Sequence, residues 1–263
     1  MNDNEYDDGL TIAGETFESR LILGSGGYNN LEKFSRAVEY SGTEIVTVGL
    51  RRVNVEADQP EGLMDVISEA EVKILPNTAG CYTADDAVQT ARLARESLDT
   101  NWVKLEVIGD DETLYPDVEQ LVEAARRLTE DDFVVLPYTS DDPVTAKKLV
   151  GAGCPVVMPL ASPIGSGRGI ANPDNLKIIR RQIDVPVIVD AGIGSATDAA
   201  RAMELGADAI LTSSAIAGAE QPGLMASALR KAVEAGRESF LAGRIPEKLF
   251  AKASTTMEGR IRR

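Results

Sequence analysis

Hydrophobic and polar positions along this chain follow two alternating periods. Short apolar runs recur as LILGS (21–25), EIVTVGL (44–50), VKILPN (72–77), WVKLEVIG (102–109), FVVLPYT (133–139), PVVMPLA (155–161), VPVIVDAG (185–192) and AILTSS (209–214). Runs of this length, rich in β-branched residues and bounded by turn signals, read as strands buried on both faces. Between them lie stretches with the 3.6-residue period of amphipathic helices, such as TADDAVQTARLARESL, PDVEQLVEAARRL, DPVTAKKLVGAG, NPDNLKIIRRQI and SATDAARAMELGA. Several open on Thr, Ser, Asp or Asn, which cap the first unpaired amides, and close at glycine. Eight strand–helix units in about 250 residues predict a (β/α)8 TIM barrel rather than an open sheet.

Two segments lie outside that repeat. TIAGETFES (11–19) predicts a short β-hairpin ahead of the first barrel strand, and the stretch from Pro222 to Gly243 supplies the eighth helix. No linker or low-complexity run interrupts the pattern. The expected organisation is a flexible acidic segment over 1–9, one barrel domain over 10–245, and a polar tail over 246–263 that ends basic.

Composition narrows the function classes. A formal net charge of -15 sets the chain against nucleic acid and anionic membrane surfaces. The charge is spread over many helices and loops, as on a solvated surface suited to a salty cytoplasm. The acidic N-terminus lacks the basic-then-apolar order of a signal peptide, which points to a cytoplasmic protein. Cys81 and Cys154 form neither a disulfide framework nor metal-ligand spacing. The chain contains no histidine. A histidine triad and a histidine-ligated zinc site are therefore excluded, and proton transfer near neutrality falls to carboxylates, lysine, cysteine, tyrosine, backbone or water.

The strand NWVKLEVIGD (101–110) raises the sharpest chemical question. Residues two apart share a face, so Lys104 and Glu106 project side by side into a buried interior. Desolvation lowers a lysine's pKa and frees its neutral amine for Schiff-base formation with a carbonyl. The alternative is an ordinary buried ion pair with Glu106. Asp190, at the end of the seventh strand, brings a second carboxylate, which suits proton shuttling; as a helix cap or loop brace it would do neither.

Chemistry in this fold gathers at the carboxyl ends of the strands, and the loops after strands seven and eight are its recurring phosphate seat. There the sequence places Gly192 and Gly194 before one helix and Ser213 and Ser214 before another. PIGSGRGI (163–170) reads either as a flexible lid whose Arg168 neutralises an anion or as a mobile surface loop. Arg51 and Arg52 either orient an anion or cover the barrel mouth with solvated charge. Cys81 in NTAGC reads as an inert small residue rather than a reactive thiol.

Taken together, RLILGSGGY, EIVTVGLRRV, ILPNTAGCYTADDAVQTARLARE, WVKLEVIGD, LPYTSDDPVTAKKLVGAGCPVVMPLASPIGSGRGI and VPVIVDAGIGSATDAARAMELGADAILTSSAIAGA, with the closing helix, give a chain that resembles the thiazole synthases of thiamine biosynthesis from about Leu10 to Gly243. The resemblance implies a (β/α)8 fold and 1-deoxy-D-xylulose 5-phosphate as substrate, with Lys104 forming an imine to its ketone. It makes Glu106 and Asp190 the acid/base pair. It seats the phosphate and sugar on Gly165, Ala191, Gly192, Ser213 and Ser214, although family members often carry asparagine where this chain has Ser213. It brings sulfur from the C-terminal thiocarboxylate of a ubiquitin-like sulfur-carrier protein, and the remaining carbon and nitrogen from dehydroglycine. It implies a homo-oligomer such as a tetramer, contact with a dehydroglycine-forming enzyme, and no metal or organic cofactor. The carrier would dock through apolar contacts near the barrel mouth, with Arg51, Arg52 and Arg168 nearby. Two other readings share parts of this picture: a class I aldolase-like sugar-phosphate enzyme using the same lysine, and a non-catalytic barrel that binds a phosphorylated metabolite or scaffolds partners.

Overall fold

The computed structural model of the chain describes residues 8–49 and 62–255. The strands β1 (Leu10–Ile12) and β2 (Glu15–Phe17) pair antiparallel as the expected hairpin. Eight parallel strands follow: β3 (Leu21–Gly24), β4 (Ile45–Gly49), β5 (Lys73–Asn77), β6 (Trp102–Leu105), β7 (Val134–Thr139), β8 (Met158–Pro159), β9 (Ile188–Asp190) and β10 (Ala209–Thr212). They pair in the order β8-β7-β6-β5-β4-β3-β10-β9, and a parallel bridge between Val157 and Val187 joins the two ends into a ring. Around it run α1 (Leu31–Ser41), α2 (Leu63–Glu69), α3 (Ala84–Leu98), α4 (Val118–Glu130), α5 (Pro143–Gly151), α6 (Pro173–Gln182), α7 (Ala196–Glu204), the single turn α8 (Ser214–Ala217) and α9 (Pro222–Ala242). This is the (β/α)8 barrel with an N-terminal hairpin.

The helices begin where the sequence offers caps. Asn30, Thr83, Asp117 and Asp142 accept hydrogen bonds from amides of the first turns of α1, α3, α4 and α5. Gly42 ends α1 in the left-handed region, where glycine has no Cβ to clash.

Strand alternation sorts the core into two layers. Ile22, Ile45, Leu75, Trp102, Leu136, Met158, Ile188 and Leu211 fill the barrel interior. Their neighbours Leu23, Val46, Val103, Val135 and Val189 pack outward under the helices. The hairpin seals the amino end of the barrel: Leu10, Ile12 and Phe17 join the interior cluster, and Phe17 meets Trp102 edge to face at 6.0 Å. Arg20 and Arg237 lash this end together. Arg237 binds both carboxylate oxygens of Asp8 and reaches Asp208, while Arg20 donates to the main-chain oxygen of Asp208 and pairs with Asp8. The amino end is thus closed and stapled, which leaves the carboxyl end for chemistry.

Candidate active site

Because Trp102 points inward, Lys104 and Glu106 point inward too, each two residues closer to the carboxyl end. All three predicted reactive side chains are buried there, with Lys104 5%, Glu106 6% and Asp190 4% exposed. The lysine Nζ lies 2.7 Å from Glu106 Oε1 and 2.7 Å from Asp190 Oδ2. The first contact is an aligned hydrogen bond; the second is an ion pair, since Asp190 Oδ2 has no aligned donor among the described residues. Asp190 reaches the lysine from β9, three strands round the ring from β6. The ring of Tyr138 on β7 lies 5.6 Å from Nζ, and its hydroxyl donates to the main-chain oxygen of Leu114.

Electrostatics corrects one expectation. Burial pushes the Lys104 pKa down, but the charges and hydrogen bonds of Asp190 and Glu106 push it up further, so the net shift is upward. The resting amine is therefore an ammonium, and desolvation does not keep it neutral. The acid is what moves into the useful range. Burial, joined by the Glu106 charge and opposed by Lys104, pushes Asp190 up to about 6.

A cavity of about 710 Å³ opens over this triad. Its wall contains every residue singled out for the site: Lys104, Glu106, Asp190, Gly165, Ala191, Gly192, Ser213 and Ser214. Ala191 and Gly192 both have positive φ, 85° and 88°. For Ala191 this conformation costs about 1–2 kcal/mol, and strain of that kind concentrates at functional sites. Gly192 is obligatory on contact grounds as well, because a Cβ there would lie 2.4 Å from the Ser162 amide nitrogen.

The glycine-rich loop is anchored rather than loose. Gly169 N donates to Gly192 O, Ser162 Oγ donates to Gly169 O, and Ala161 N donates to Ala191 O. Gly194 packs so closely on Gly167 that a Cβ would sit 2.5 Å from the Gly167 oxygen. These contacts tie the loop to the segment that follows β9. Arg168 is exposed and does not line the cavity. Arg51 and Arg52 lie outside the described residues. Cys81 is buried in the cavity wall, with its Sγ 3.4 Å from the Thr90 hydroxyl.

Sequence reasoning missed the loop after β3. Gly24, Ser25, Gly26 and Gly27 line the cavity as well, with Thr47 and with Asn77, the register partner of Lys104. The signal was present in the glycine-rich GSGGY directly after a strand. The Ser213 hydroxyl lies 3.1 Å from Gly24 O and 2.6 Å from Gly26 O. It ties β10 to the β3 loop, so its proton is engaged in the frame, and its main chain is what it can offer a ligand. Apart from Lys104, no lysine or arginine lines the cavity among the described residues.

Comparison with known proteins agrees with this geometry. Residues 11–256 match the family model "Thiazole biosynthesis protein ThiG". A thiazole synthase from Myxococcus xanthus is 58% identical, covering 95% of this chain and 96% of the relative. One from Alkalilimnicola ehrlichii is 59% identical, covering 96% and 97%. Among solved structures, a chain from the Amycolatopsis orientalis BexX/CysO complex superposes with a TM-score of 0.80 at 35% identity, covering 92% of this chain and 98% of that one. With a family model matching residues 11–256 and near-full-length identities of 58% and 59% to thiazole synthases, the chain belongs to the thiazole synthase family of thiamine biosynthesis.

Proposed function

We propose that this sulfur-transferring enzyme works through a Lys104 imine with 1-deoxy-D-xylulose 5-phosphate. The observation that carries the proposal is the triad: one buried amine within 2.7 Å of two buried carboxylates, at the floor of the cavity. The ketose enters with its phosphate toward Gly165, Ala191, Gly192, Ser213 and Ser214 and its ketone toward Nζ. Lys104 passes one proton to Asp190, whose raised pKa makes it a competent acceptor near neutrality. The neutral amine attacks the carbonyl carbon, and the carbinolamine loses water with a proton returned from an acid of the triad. Glu106 and Asp190 then move protons between adjacent carbons for the rearrangement and the later dehydrations. Sulfur arrives from the terminal thiocarboxylate of a ubiquitin-like carrier, and dehydroglycine completes the ring. A carrier partner is supported by the 35% identical chain having been solved in a two-protein complex. We place the enzyme in the cytoplasm, as a homo-oligomer such as a tetramer; no helix among the described residues is long and apolar enough to cross a membrane.

The test is borohydride trapping. Wild-type protein incubated with the ketose phosphate and borohydride gains the reduced adduct on Lys104, and Lys104→Arg gains none, because a guanidinium is neither nucleophilic nor deprotonated at working pH. An adduct on another lysine, or none in the wild type, defeats the proposal. A Lys104 adduct without any carrier-dependent thiazole formation would favour the aldolase-like alternative.

A further inference from the structure

The NTAGC turn (77–81) has no role in the chemistry above, yet it touches β6 at the place where the two reactive residues leave the sheet. Regular pairing between β5 and β6 is reduced to Asn77 opposite Lys104. Beyond that pair the chain of β5 turns away, and the amide and carbonyl of Glu106 lose their strand partner. Thr78 replaces it. Its hydroxyl donates to Glu106 O at 2.7 Å and accepts from Glu106 N at 2.8 Å, so a single side chain occupies both ladder positions. Its own amide donates to Lys104 O at 3.2 Å. The turn is closed by Cys81, whose amide donates to Thr78 O while its carbonyl accepts from Ile108 N. Thr78 is 1% exposed and does not line the cavity.

We propose that Thr78 is a positioning residue for catalysis: its hydroxyl bracket fixes the main chain of Glu106 and so holds that carboxylate against the Lys104 amine. This deepens the imine reading above and rests on it. A backbone amide and carbonyl buried at a site must each find a partner. A β-branched side chain, restricted at χ1, holds its hydroxyl in place better than serine does. Without the bracket the end of β6 relaxes, and displacement of a catalytic group by about 1 Å costs on the order of 10²-fold in rate.

The experiment compares wild type, Thr78→Ser and Thr78→Val by single-turnover trapping of the ketose phosphate adduct with cyanoborohydride across pH. Valine keeps the shape and removes the hydroxyl; serine keeps the hydroxyl. The expected result for Thr78→Val is a trapping rate lower by about 10- to 100-fold, with the half-saturating ketose phosphate concentration within about twofold of wild type. Thr78→Ser recovers most of the rate. The charged or titratable groups facing Lys104 are Glu106, Asp190 and Tyr138. Moving Glu106 away removes a charge that raises the lysine, so the pH dependence of trapping shifts toward acid in Thr78→Val and returns in Thr78→Ser. A purely architectural role would not move that profile. Three results overturn the proposal: Thr78→Val trapping at the wild-type rate, Thr78→Ser as impaired as Thr78→Val, or a loss confined to half-saturation with an unshifted profile. Where Thr78→Val does not fold, Thr78→Ser and Thr78→Cys provide a graded series in hydrogen-bond strength, hydroxyl to weakly bonding thiol, and rates that ignore the series overturn it equally. Absence of a wild-type adduct is separate and defeats the imine reading itself.

Discussion

At the scale of single residues, this chain solves a problem that its composition sets. With no histidine, no side chain in it titrates near neutrality unperturbed. Burying Asp190 beside Glu106 pushes the acid up to about 6 and supplies the missing group. The sign of the consequence is fixed. Below about pH 6 Asp190 is protonated and cannot receive the Lys104 proton, so adduct formation falls as pH drops through that value, about tenfold per unit once well below it. The observed midpoint belongs to the coupled triad rather than to one residue. Trapping rates measured from about pH 5 to 8 check this. In Asp190→Asn the acid limb disappears and the plateau falls by about 10²- to 10⁴-fold. An unchanged limb in that variant would assign the proton acceptor to Glu106.

At the scale of elements, stability and chemistry are divided between the two ends of the barrel. The amino end carries the hairpin, the Trp102 layer and the Asp8–Arg20–Asp208–Arg237 cluster. Asp208 is central to that cluster: Oδ2 accepts from Val187 N at 2.9 Å, and its main-chain oxygen accepts from Arg20. Asp208→Ala leaves a buried amide and a mostly buried arginine short of partners, at a cost of about 2–3 kcal/mol. A melting temperature lower by about 2–4 °C per kcal/mol follows for a chain of this size. The trapping rate of the folded fraction stays at the wild-type value; a selective loss of rate would show that the two ends are coupled. The division also explains what the sequence could show. Alternation around Trp102, Lys104 and Glu106 is a local property, so the inward lysine was legible, as were the eight strands and the capped helices. Regular structure stops at Leu105, short of the expected 109, because a side-chain bracket replaces the ladder there. Contacts of that kind join residues 28 positions apart and carry no periodic signal. The Ser213 link to Gly24 and Gly26 was hidden for the same reason, as was the anchoring of the glycine loop, whose composition alone reads as mobile.

At the scale of the whole molecule, the site works against the field around it. The chain carries -15, and the cavity wall pairs two carboxylates with one ammonium. No second cation lines the described part of that wall. On the proposed reading, a sugar phosphate is drawn in by backbone amides and by Lys104 at short range, against repulsion at long range. Salt then helps rather than hinders. Raising ionic strength from about 0.01 M to about 0.15 M shrinks the screening length from about 30 Å to about 8 Å. Repulsion fades over that range, while contacts inside the buried cavity are screened little. The expected outcome is a kcat/KM for the ketose phosphate that rises about two- to tenfold with added salt, most of it in capture rather than in kcat. Steady-state rates at limiting substrate across a salt series measure it. The opposite slope would mean that exposed cations steer the substrate, and the arginines at 51 and 52, outside the described residues, would be the first to substitute. A rising slope assigns capture to main-chain dipoles, and it predicts that Arg51→Ala and Arg52→Ala leave the salt dependence unaltered.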